Sequence, residues 1–551
     1  MSRQPTGRTG ARLLVDVLRA QGVPRVFCVP GESYLSVLDA LYEAKDSIET
    51  IVCRHEAGAA NMAEATGKLT GRPGVCFVTR GPGATHAAIG VHTARQDSTP
   101  MILFVGQVAR ADKDREAFQE LDYSAVFGSI AKWAVEIDDA ARIPELVERA
   151  FHVAMQGRMG PVVIALPEDM LTDVVEAYAG ARVAPARAGL DEQTAGAISH
   201  ALAAAKRPLV LLGGSGWDEV GRAAIRAFVE ANDLPVVLSF RRKDLLDNDH
   251  PNYAGDLGLG PNPNLIERFK VADCVLAIGA RLGENPSQGY SLFTREETAA
   301  KLIHIHPSAE EIGRVWPAHI GAVAHVSSAM EALMRSTVKR QWGAWRAAAR
   351  ADYEAFSAPI AVSGKVNLSE LVAHMSGALP ADAIICNGAG NFAAWLHRFH
   401  RHRAPHTQLA PTSGAMGYGF PAAIAAKIAH PDRDVICFAG DGDFMMSAME
   451  MATIARHQVG VITIVIDNGT YGTIRMHQER DYPARVHATD LTNPDFVALA
   501  ASFGISGMRV ERTDDFPGAL AQARRNAPAL IHVVTDAENI APGRTITQLR
   551  G

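Results

Sequence analysis

The chain contains 551 residues, a length that predicts two to four domains rather than a single core. Its residues are 48% apolar and 21% charged, which is typical of a globular protein with ample material for buried cores. The formal net charge of −6 argues against a nucleic-acid-binding protein.

The first block of the chain alternates helix-like and strand-like runs. It begins with the helix-like run ARLLVDVLRAQG, continues through the strand RVFCVPG and the helix EAGAANMAEATGKL, and ends at the strand PVVIALPED. Glu56 follows the strand ETIVCR and precedes the helix of small residues. From the residues alone, a glutamate that complements the helix dipole is the simpler interpretation, and Glu64 is the other carboxylate of this helix.

The second block contains the strands PLVLLGGSG, PVVLSF, DCVLAIGARL and KLIHIHP. The segments GGSGW (213–217) and GARLGENP (279–286) follow two of these strands, where a dinucleotide could lie. A plain strand–turn–helix connection explains this pattern equally well, because the phosphate-binding motif is weak.

Links rich in Ala, Pro and Gly separate the blocks near 174–193 and 351–367. Apolar strands that alternate with helices predict parallel sheets covered on both faces. The sequence therefore predicts an α/β protein with three doubly wound parallel-sheet domains, at 1–180, 190–345 and 360–551.

The third block places two polar loops at the ends of neighbouring strands. Strand DVICFA (434–439) leads to Asp441 in Gly-Asp-Gly, a helix is predicted over 444–457, and strand VGVITIVI (459–466) leads to Asn468 in Asp-Asn-Gly. Such loops share one edge of a parallel sheet. A carboxylate and an amide oxygen suit magnesium, and the helix N-terminus suits phosphate. The unit therefore predicts a magnesium–diphosphate site.

The spacing of these two loops resembles the signature of thiamine-diphosphate enzymes. The family pattern usually ends in Asn-Asn, whereas this chain has Asp467 before Asn468, and the NGTYG turn is similar to that of benzoylformate decarboxylase. The resemblance implies that Asp441, Asn468 and the backbone carbonyl of Thr470 bind magnesium. It also implies contacts to the cofactor from Gly440, Gly442, Asp443, Tyr471 and Gly472.

The same resemblance changes the interpretation of Glu56. Thiamine enzymes of the decarboxylase group carry His-Glu-x-x-Ala at this place, which implies that Glu56 activates the cofactor and that His55 positions the loop. In that family the glutamate and the Gly-Asp-Gly unit come from different subunits. A homodimer or homotetramer with the active site at the subunit interface is therefore implied.

The segment SGAMGYGFPAAIAA (413–426) resembles the GAMGFG segment of acetolactate synthases, in which the methionine props the cofactor. Gly414 and Met416 take those positions here, although a core methionine that fills a gap would give the same pattern. RGPGATHAAIGVHTARQDSTPMILFVGQV and EAFQELD resemble the same branch. The resemblance implies decarboxylation of a 2-oxo acid, most simply pyruvate, with carboligation to a second carbonyl. It implies substrate contacts from Phe118 and Gln119.

The chain departs from the acetolactate synthase pattern at several positions. His86 replaces an Asn, Glu168 replaces a Lys, and His477 stands where the synthases have a Trp that helps to choose the second 2-oxo acid. NGAGNFAAW (387–395) stands where they carry a GQHQMW-like segment. His86 and His477 are therefore candidates for contacts with the substrate, and the acceptor is left open.

Three other interpretations remain open at this stage. The first is a simple 2-oxo acid decarboxylase or a 2-hydroxyacyl-CoA lyase, the second is a non-catalytic member of the fold, and the third is a nicotinamide or flavin dehydrogenase. The lack of a clear Gly-x-Gly-x-x-Gly opening a βαβ unit argues against the third. The cofactors that the resemblance implies are thiamine diphosphate and Mg²⁺, with FAD as an option in the middle domain.

The chain carries no evident membrane or secretion signal. No apolar run reaches 18 residues, and MSRQPTGRTG lacks the apolar core of a signal peptide. The six cysteines form no Cys-x-x-Cys pair and indicate buried thiols in a reducing compartment. We expect a cytoplasmic protein with no membrane partner, and we expect WLHRFHRHR (395–403) to form a solvated helix face.

Overall fold

The computed structural model describes residues 7–335, 338 and 341–550. Three six-stranded sheets follow one another along this part of the chain, and every strand pair within them is parallel. This arrangement confirms the predicted α/β class with three parallel-sheet domains. None of the described helices combines the length and the hydropathy needed to cross a bilayer.

The first sheet has the strand order β3-β2-β4-β5-β7-β6, and a two-residue pair, β1 with β8, closes this part of the chain. The strands of this part of the chain are β1 (Arg8–Thr9), β2 (Arg25–Cys28), β3 (Glu49–Val52), β4 (Gly74–Val78), β5 (Met101–Gln107), β6 (Trp133–Glu136), β7 (Pro161–Pro167) and β8 (Val174–Val175). Its helices are α1 (Gly10–Ala20), α2 (Leu35–Glu43), α3 (Glu56–Thr70), α4 (Gly81–Asp97), α5 (Tyr123–Phe127) and α6 (Ile143–Met155).

The second sheet has the order β11-β10-β9-β12-β13-β14. Its strands are β9 (Pro208–Leu212), β10 (Val236–Ser239), β11 (Tyr253–Leu257), β12 (Cys274–Ile278), β13 (Leu302–His306) and β14 (Ile320–Val323). Its helices are α7 (Glu192–Ala204), α8 (Glu219–Asn232), α9 (Pro263–Val271), α10 (Arg295–Lys301), α11 (Val326–Leu333) and α12 (Gly343–Phe356).

The third sheet has the order β16-β15-β17-β18-β20-β19. Its strands are β15 (Ile384–Asn387), β16 (Gln408–Leu409), β17 (Val435–Gly440), β18 (Ile462–Asp467), β19 (Ser506–Val510) and β20 (Ala529–Val534). Its helices are α13 (Leu368–Ala378), α14 (Phe392–Phe399), α15 (Gly419–Ala429), α16 (Asp441–Met445), α17 (Met451–His457), α18 (Gly472–Asp481), α19 (Phe496–Ser502), α20 (Phe516–Arg525) and α21 (Ile546–Arg550).

The first and third domains share one hydrophobic core. Buried residues of α3 and α4 pack in a single cluster with the alanine-rich helix α15 and with inner residues of β17. Small side chains permit this approach, since a Cβ on Gly58 of α3 would lie 2.3 Å from Oε1 of Glu450 in the third domain. The two domains are therefore packed against each other as one body within the chain.

The helix that was expected over 444–457 is broken. α16 begins at Asp441 and ends at Met445, a 3-10 turn covers Ala448–Glu450, and α17 starts at Met451. The break coincides with a contact between Glu450 and the first domain, where its carboxylate accepts hydrogen bonds from backbone N–H groups. Tertiary contact thus overrides the helical pattern of this segment.

The run at 395–403 is not a solvated helix face, so that expectation was wrong. α14 ends at Phe399, and His400 and His402 are only 5% and 3% exposed. The second domain covers them: the Nζ of Lys243, itself buried, donates to the carbonyl oxygens of His397 and His400. Histidine and arginine residues here form part of the contact between the second and third domains.

These buried histidines should make the fold sensitive to acid. Burial, with the nearby charge of Lys243 or Arg222 respectively, lowers the pKa of His400 to about 3 and that of His406 to about 4. Below their ordinary pKa of 6.5 the unfolded chain binds protons that the folded chain does not. We expect the free energy of unfolding to fall as pH decreases from 6.5 towards 4, by about 1.4 kcal/mol per pH unit for each histidine.

Thermal unfolding scans between pH 7 and pH 4 measure this effect. The variant His400→Gln should flatten the pH dependence of the Tm, whereas His487→Gln, at an exposed position, should leave it unchanged. If the Tm depended on pH equally in the two variants, the assignment of the acid sensitivity to His400 would be contradicted.

Candidate active site

The two polar loops of the third domain lie side by side. β17 and β18 are adjacent and parallel, with Gly440 in register with Ile466, so both loops emerge at one edge of the sheet. Asp441, Asn468 and Thr470 line the same cavity, whose volume is about 380 Å³. The structure therefore brings together the three residues that were expected to bind a metal ion.

Hydrogen bonds join the two loops at Asp441. One carboxylate oxygen accepts from the N–H of Gly442 (2.9 Å), and the other accepts from the N–H of Gly469 (2.9 Å) and from Asn493 (2.8 Å). Burial raises the pKa of Asp441 to about 6. A cation in the cavity would favour the ionised carboxylate and offset this burial. The donor set of carboxylate, amide and carbonyl oxygens fits Mg²⁺.

Asp467, which stands where the family usually has Asn, is held by the neighbouring strand. His532 Nε2 lies 2.8 Å from one of its oxygens, and Asn493 donates to the other at 2.9 Å. Although burial acts in the opposite direction, hydrogen bonding with His532 and Asp441 keeps the pKa of Asp467 below its usual value. Asn493 and His532 carried no signal in the sequence, since they reach the site only through the fold.

Asp443 joins two walls of the cavity. Its Oδ1 accepts from the N–H of Gly417 (2.8 Å) and from that of Ala389 (3.3 Å), and burial raises its pKa to about 7. Gly388 leaves room for this contact, because a Cβ there would lie 2.0 Å from the Oδ1 of Asp443. Asp443 therefore anchors the segment that presents Met416.

The other cofactor residues expected in this domain also line the cavity. They are Gly414, Met416, Gly440, Gly442, Tyr471 and Gly472. The lining includes residues that sequence reasoning missed: Asn391 and Phe392 of the third domain, and Phe240 and Arg241 of the second. His477, by contrast, is exposed and lies outside the lining.

Glu56 does not face this cavity within one chain. Among the described residues, none from 7–180 contributes to the lining. Glu56 opens α3, and one of its carboxylate oxygens lies 2.8 Å from His86 Nδ1, while the rings of His55 and His86 stack at 4.5 Å. His55 caps the helix, because its Nδ1 accepts from the N–H of Ala57 at 3.1 Å.

Glu64, the other carboxylate of α3, is fully buried and lies 2.5 Å from the hydroxyl of Tyr418. It therefore belongs to the packing between the first and third domains.

The remaining substrate candidates lie on the same domain as Glu56. The side chain of Phe118 is 71% exposed, and Gln119 has a φ of +65°. The carbonyl oxygen of Gln119 accepts from the N–H of Gly81, which opens the helix that carries His86. Glu168 forms an ion pair with Arg80 just before that helix. These residues thus surround the first turns of α4.

Exposed methionines border the Gly-Asp-Gly loop of the third domain. Met445, Met446 and Met449 are 41%, 51% and 41% exposed, and they directly follow the Gly-Asp-Gly segment. Clustered exposed apolar side chains of this kind mark interaction sites. An apolar partner surface is therefore expected beside the cavity.

The glycine loop GGSGW at the edge of the second sheet borders a second cavity. A Cβ on Gly214 would lie 2.1 Å from the carbonyl oxygen of Gly279, so the two glycine loops touch each other. A cavity of about 410 Å³ lies beside the first of them and is lined by Gly214, Gly216 and Arg222. The N-terminus of α8 is already capped by the carboxylate of Asp218, which accepts from Gly221 and from Ser327.

Comparisons with known proteins agree with this organisation. Models of the thiamine pyrophosphate enzyme family match residues 8–126 (N-terminal TPP binding domain), 196–333 (central domain) and 388–533 (C-terminal TPP binding domain). The chain is 30% identical over 547 residues to the acetolactate synthase isozyme 2 large subunit of Escherichia coli, covering 97% of both proteins. It is 32% identical over 541 residues to the acetolactate synthase of Bacillus subtilis, covering 96% of this chain and 93% of that protein.

Proposed function

Since the chain belongs to the thiamine pyrophosphate enzyme family, we propose that it decarboxylates a 2-oxo acid, most simply pyruvate, and joins the remaining acyl unit to a second carbonyl compound. The observation that carries this proposal is the cavity in which Asp441, Asn468, Thr470 and Met416 converge. The similarity to acetolactate synthases over nearly the whole chain supports the carboligation. We propose the domain bounds 1–180, 190–345 and 360–551 for the pyrimidine-binding, central and diphosphate-binding units.

The residues of the third domain are assigned to cofactor binding. Asp441, Asn468 and the carbonyl of Thr470 would hold Mg²⁺, and Gly440, Gly442 and the N-terminal N–H groups of α16 would hold the diphosphate. Met416 and Gly414 would support the rings, while Tyr471 packs against Gly442 and closes the loop. Thiamine diphosphate, when bound, accepts the electron pair released by decarboxylation.

The activating carboxylate is proposed to come from a second copy of the chain. Glu56 lies outside the cavity of its own chain, and the cavity is bordered by the exposed Met445, Met446 and Met449. A homodimer would place Glu56 of the partner subunit over the cavity and cover these methionines, and a homotetramer would be built from two such dimers. Glu56 would then hold and return a proton of the aminopyrimidine ring.

Substrate contacts are assigned to residues around Glu56. Phe118 and Gln119 lie beside the first turn of α4, and His86, which α4 carries, contacts Glu56 directly. All three residues would therefore reach the cavity together with Glu56. His477 is left as a more distant candidate for the acceptor, since it lies outside the lining. FAD stays an option for the cavity at the edge of the second sheet, and the absorption spectrum of the purified protein tests this point.

We expect turnover of 2-oxo acids only when thiamine diphosphate and Mg²⁺ are both present. A panel of 2-oxo acids, incubated with the protein singly and in pairs, followed by mass analysis of the products, measures donor and acceptor together. A joined hydroxy-ketone supports the proposal, with carbon dioxide as the second product. Free aldehyde alone would instead favour a simple decarboxylase, and an absence of turnover with every acid would contradict both.

A further inference from the structure

The loop that precedes Glu56 is held by side chains of the third domain of the same chain. The N–H of Arg54 lies 3.2 Å from each carboxylate oxygen of Glu450, and the N–H of His55 donates to Oε1 at 3.0 Å. Two residues earlier, the N–H of Val52 donates to His457 Nε2 at 3.3 Å. Three backbone donors ahead of Glu56 are therefore satisfied by two side chains that are about 400 residues away in sequence.

Glu450 is closely fitted to this loop. It is 0% exposed, and the hydroxyl of Thr453 also donates to its carboxylate. Gly58, in the first turn of α3, makes room for it, because a Cβ at this position would lie 2.3 Å from Oε1 of Glu450. A carboxylate at the N-terminus of α3 is also favoured by the helix dipole. Loss of this acceptor would leave the N–H groups of Arg54 and His55 without this partner, in a contact that is partly buried.

The position of Glu450 along the chain connects two sites. The segment from 441 to 457 begins at the proposed metal ligand Asp441, contains Glu450 in its 3-10 turn, and ends at His457. One short segment thus contacts the cofactor cavity of its own chain at one end and the loop of Glu56 at the other.

We propose that Glu450 is a positioning residue that fixes the loop 52–55 and thereby aims the carboxylate of Glu56 at the cofactor. This inference rests on the proposed function, in which Glu56 serves the cavity of the partner subunit. His457 supports the same loop at its start, where it accepts the hydrogen bond from the N–H of Val52. A displacement of about 1 Å at a reacting group lowers rates by about 10²-fold, so a modest shift of this loop would be sufficient to impair catalysis.

The first test uses the protein without cofactor. In Glu450→Gln, which keeps the shape but loses the charge and one acceptor, amide hydrogen exchange over 52–57 should accelerate about tenfold, as expected for loss of a hydrogen bond to a charged group. Exchange in β17 should stay unchanged. Glu479→Gln is the matched control, since Glu479 is also 0% exposed in the third domain but pairs with Arg475 and Arg550 instead.

The second test uses the loaded enzyme. Glu450→Gln should lower kcat about tenfold or more, with the KM for the 2-oxo acid and the affinity for thiamine diphosphate within about twofold of wild type. Gly58→Ala, which disturbs the same contact from the opposite side, should reproduce the effect, and Glu450→Asp should recover part of the loss.

The outcomes separate this inference from the proposed function. Unchanged amide exchange over 52–57 in both Glu450→Gln and Gly58→Ala would overturn the positioning role, whatever the enzyme catalyses. Accelerated exchange with unchanged kcat would also overturn it, because the loop would then be loosened without effect. A wild-type protein that turns over no 2-oxo acid would contradict the proposed function, and the exchange result would still report whether Glu450 holds the loop.

Discussion

Replacing Glu56 by glutamine is expected to lower kcat for the 2-oxo acid by about 10³-fold, within the range by which a positioned acid–base group accelerates a reaction. Glutamine keeps the size and the contact with His86 but cannot exchange a proton with the aminopyrimidine ring. Affinity for thiamine diphosphate should change far less, because the residues proposed to contact the diphosphate and the metal lie on the third domain. Steady-state turnover and calorimetric titration with the cofactor measure the two quantities.

The matched control is Glu64→Gln, which alters the other carboxylate on the same helix. Glu64 is buried against Tyr418, so kcat per folded molecule should stay within a few-fold of wild type. If Glu64→Gln lost turnover and Glu56→Gln kept it, the assignment of the activating carboxylate would be reversed. If neither substitution lowered kcat, a non-catalytic role for both carboxylates would become the better interpretation.

Replacing Asp441 by alanine is expected to abolish the dependence of cofactor affinity on magnesium. Alanine removes one proposed metal ligand and the hydrogen bonds that join the loops at Gly469 and Asn493. Changes outside the ligand shell already weaken metal binding by 10–100-fold, so loss of a ligand should raise the Kd of thiamine diphosphate in Mg²⁺ by about 100-fold or more. Calorimetric titrations with and without Mg²⁺ measure this difference.

Asp490→Ala serves as the control for this change, because Asp490 lies on a neighbouring loop with its side chain 85% exposed. Its cofactor affinity should match wild type. A normal, magnesium-dependent Kd in Asp441→Ala would remove the metal site from the proposal.

Co-expression of Glu56→Gln and Asp441→Ala tests whether two chains share one active site. In a mixed dimer, one active site contains both substitutions, and the other active site contains neither. Random pairing should therefore restore about a quarter of wild-type turnover, since half of the dimers are mixed and each holds one intact site. A complete lack of recovery, with mixed dimers present, would show that Glu56 and Asp441 act within one chain.

The sequence alone determined the layer architecture and the pairing of the two polar loops. Apolar runs such as 434–439 and 459–466 are buried on both faces of a parallel sheet, and their alternation with helices allows few other arrangements. Because neighbouring parallel strands end at one edge, the meeting of Asp441 and Asn468 followed from strand order along the chain. Both inferences depend on local pattern and on short sequence separation.

Only the tertiary structure decided which distant side chains complete the site. Asn493 and His532 reach the two polar loops at Asp441 and Asp467, and Glu450 reaches the loop of Glu56 across about 400 residues, through contacts that no local pattern encodes. Burial likewise converted the histidine-rich run after 395 into a domain contact. Local periodicity records which face of an element is apolar, whereas long-range contacts depend on how whole domains pack, and that is fixed by the sum of many weak interactions.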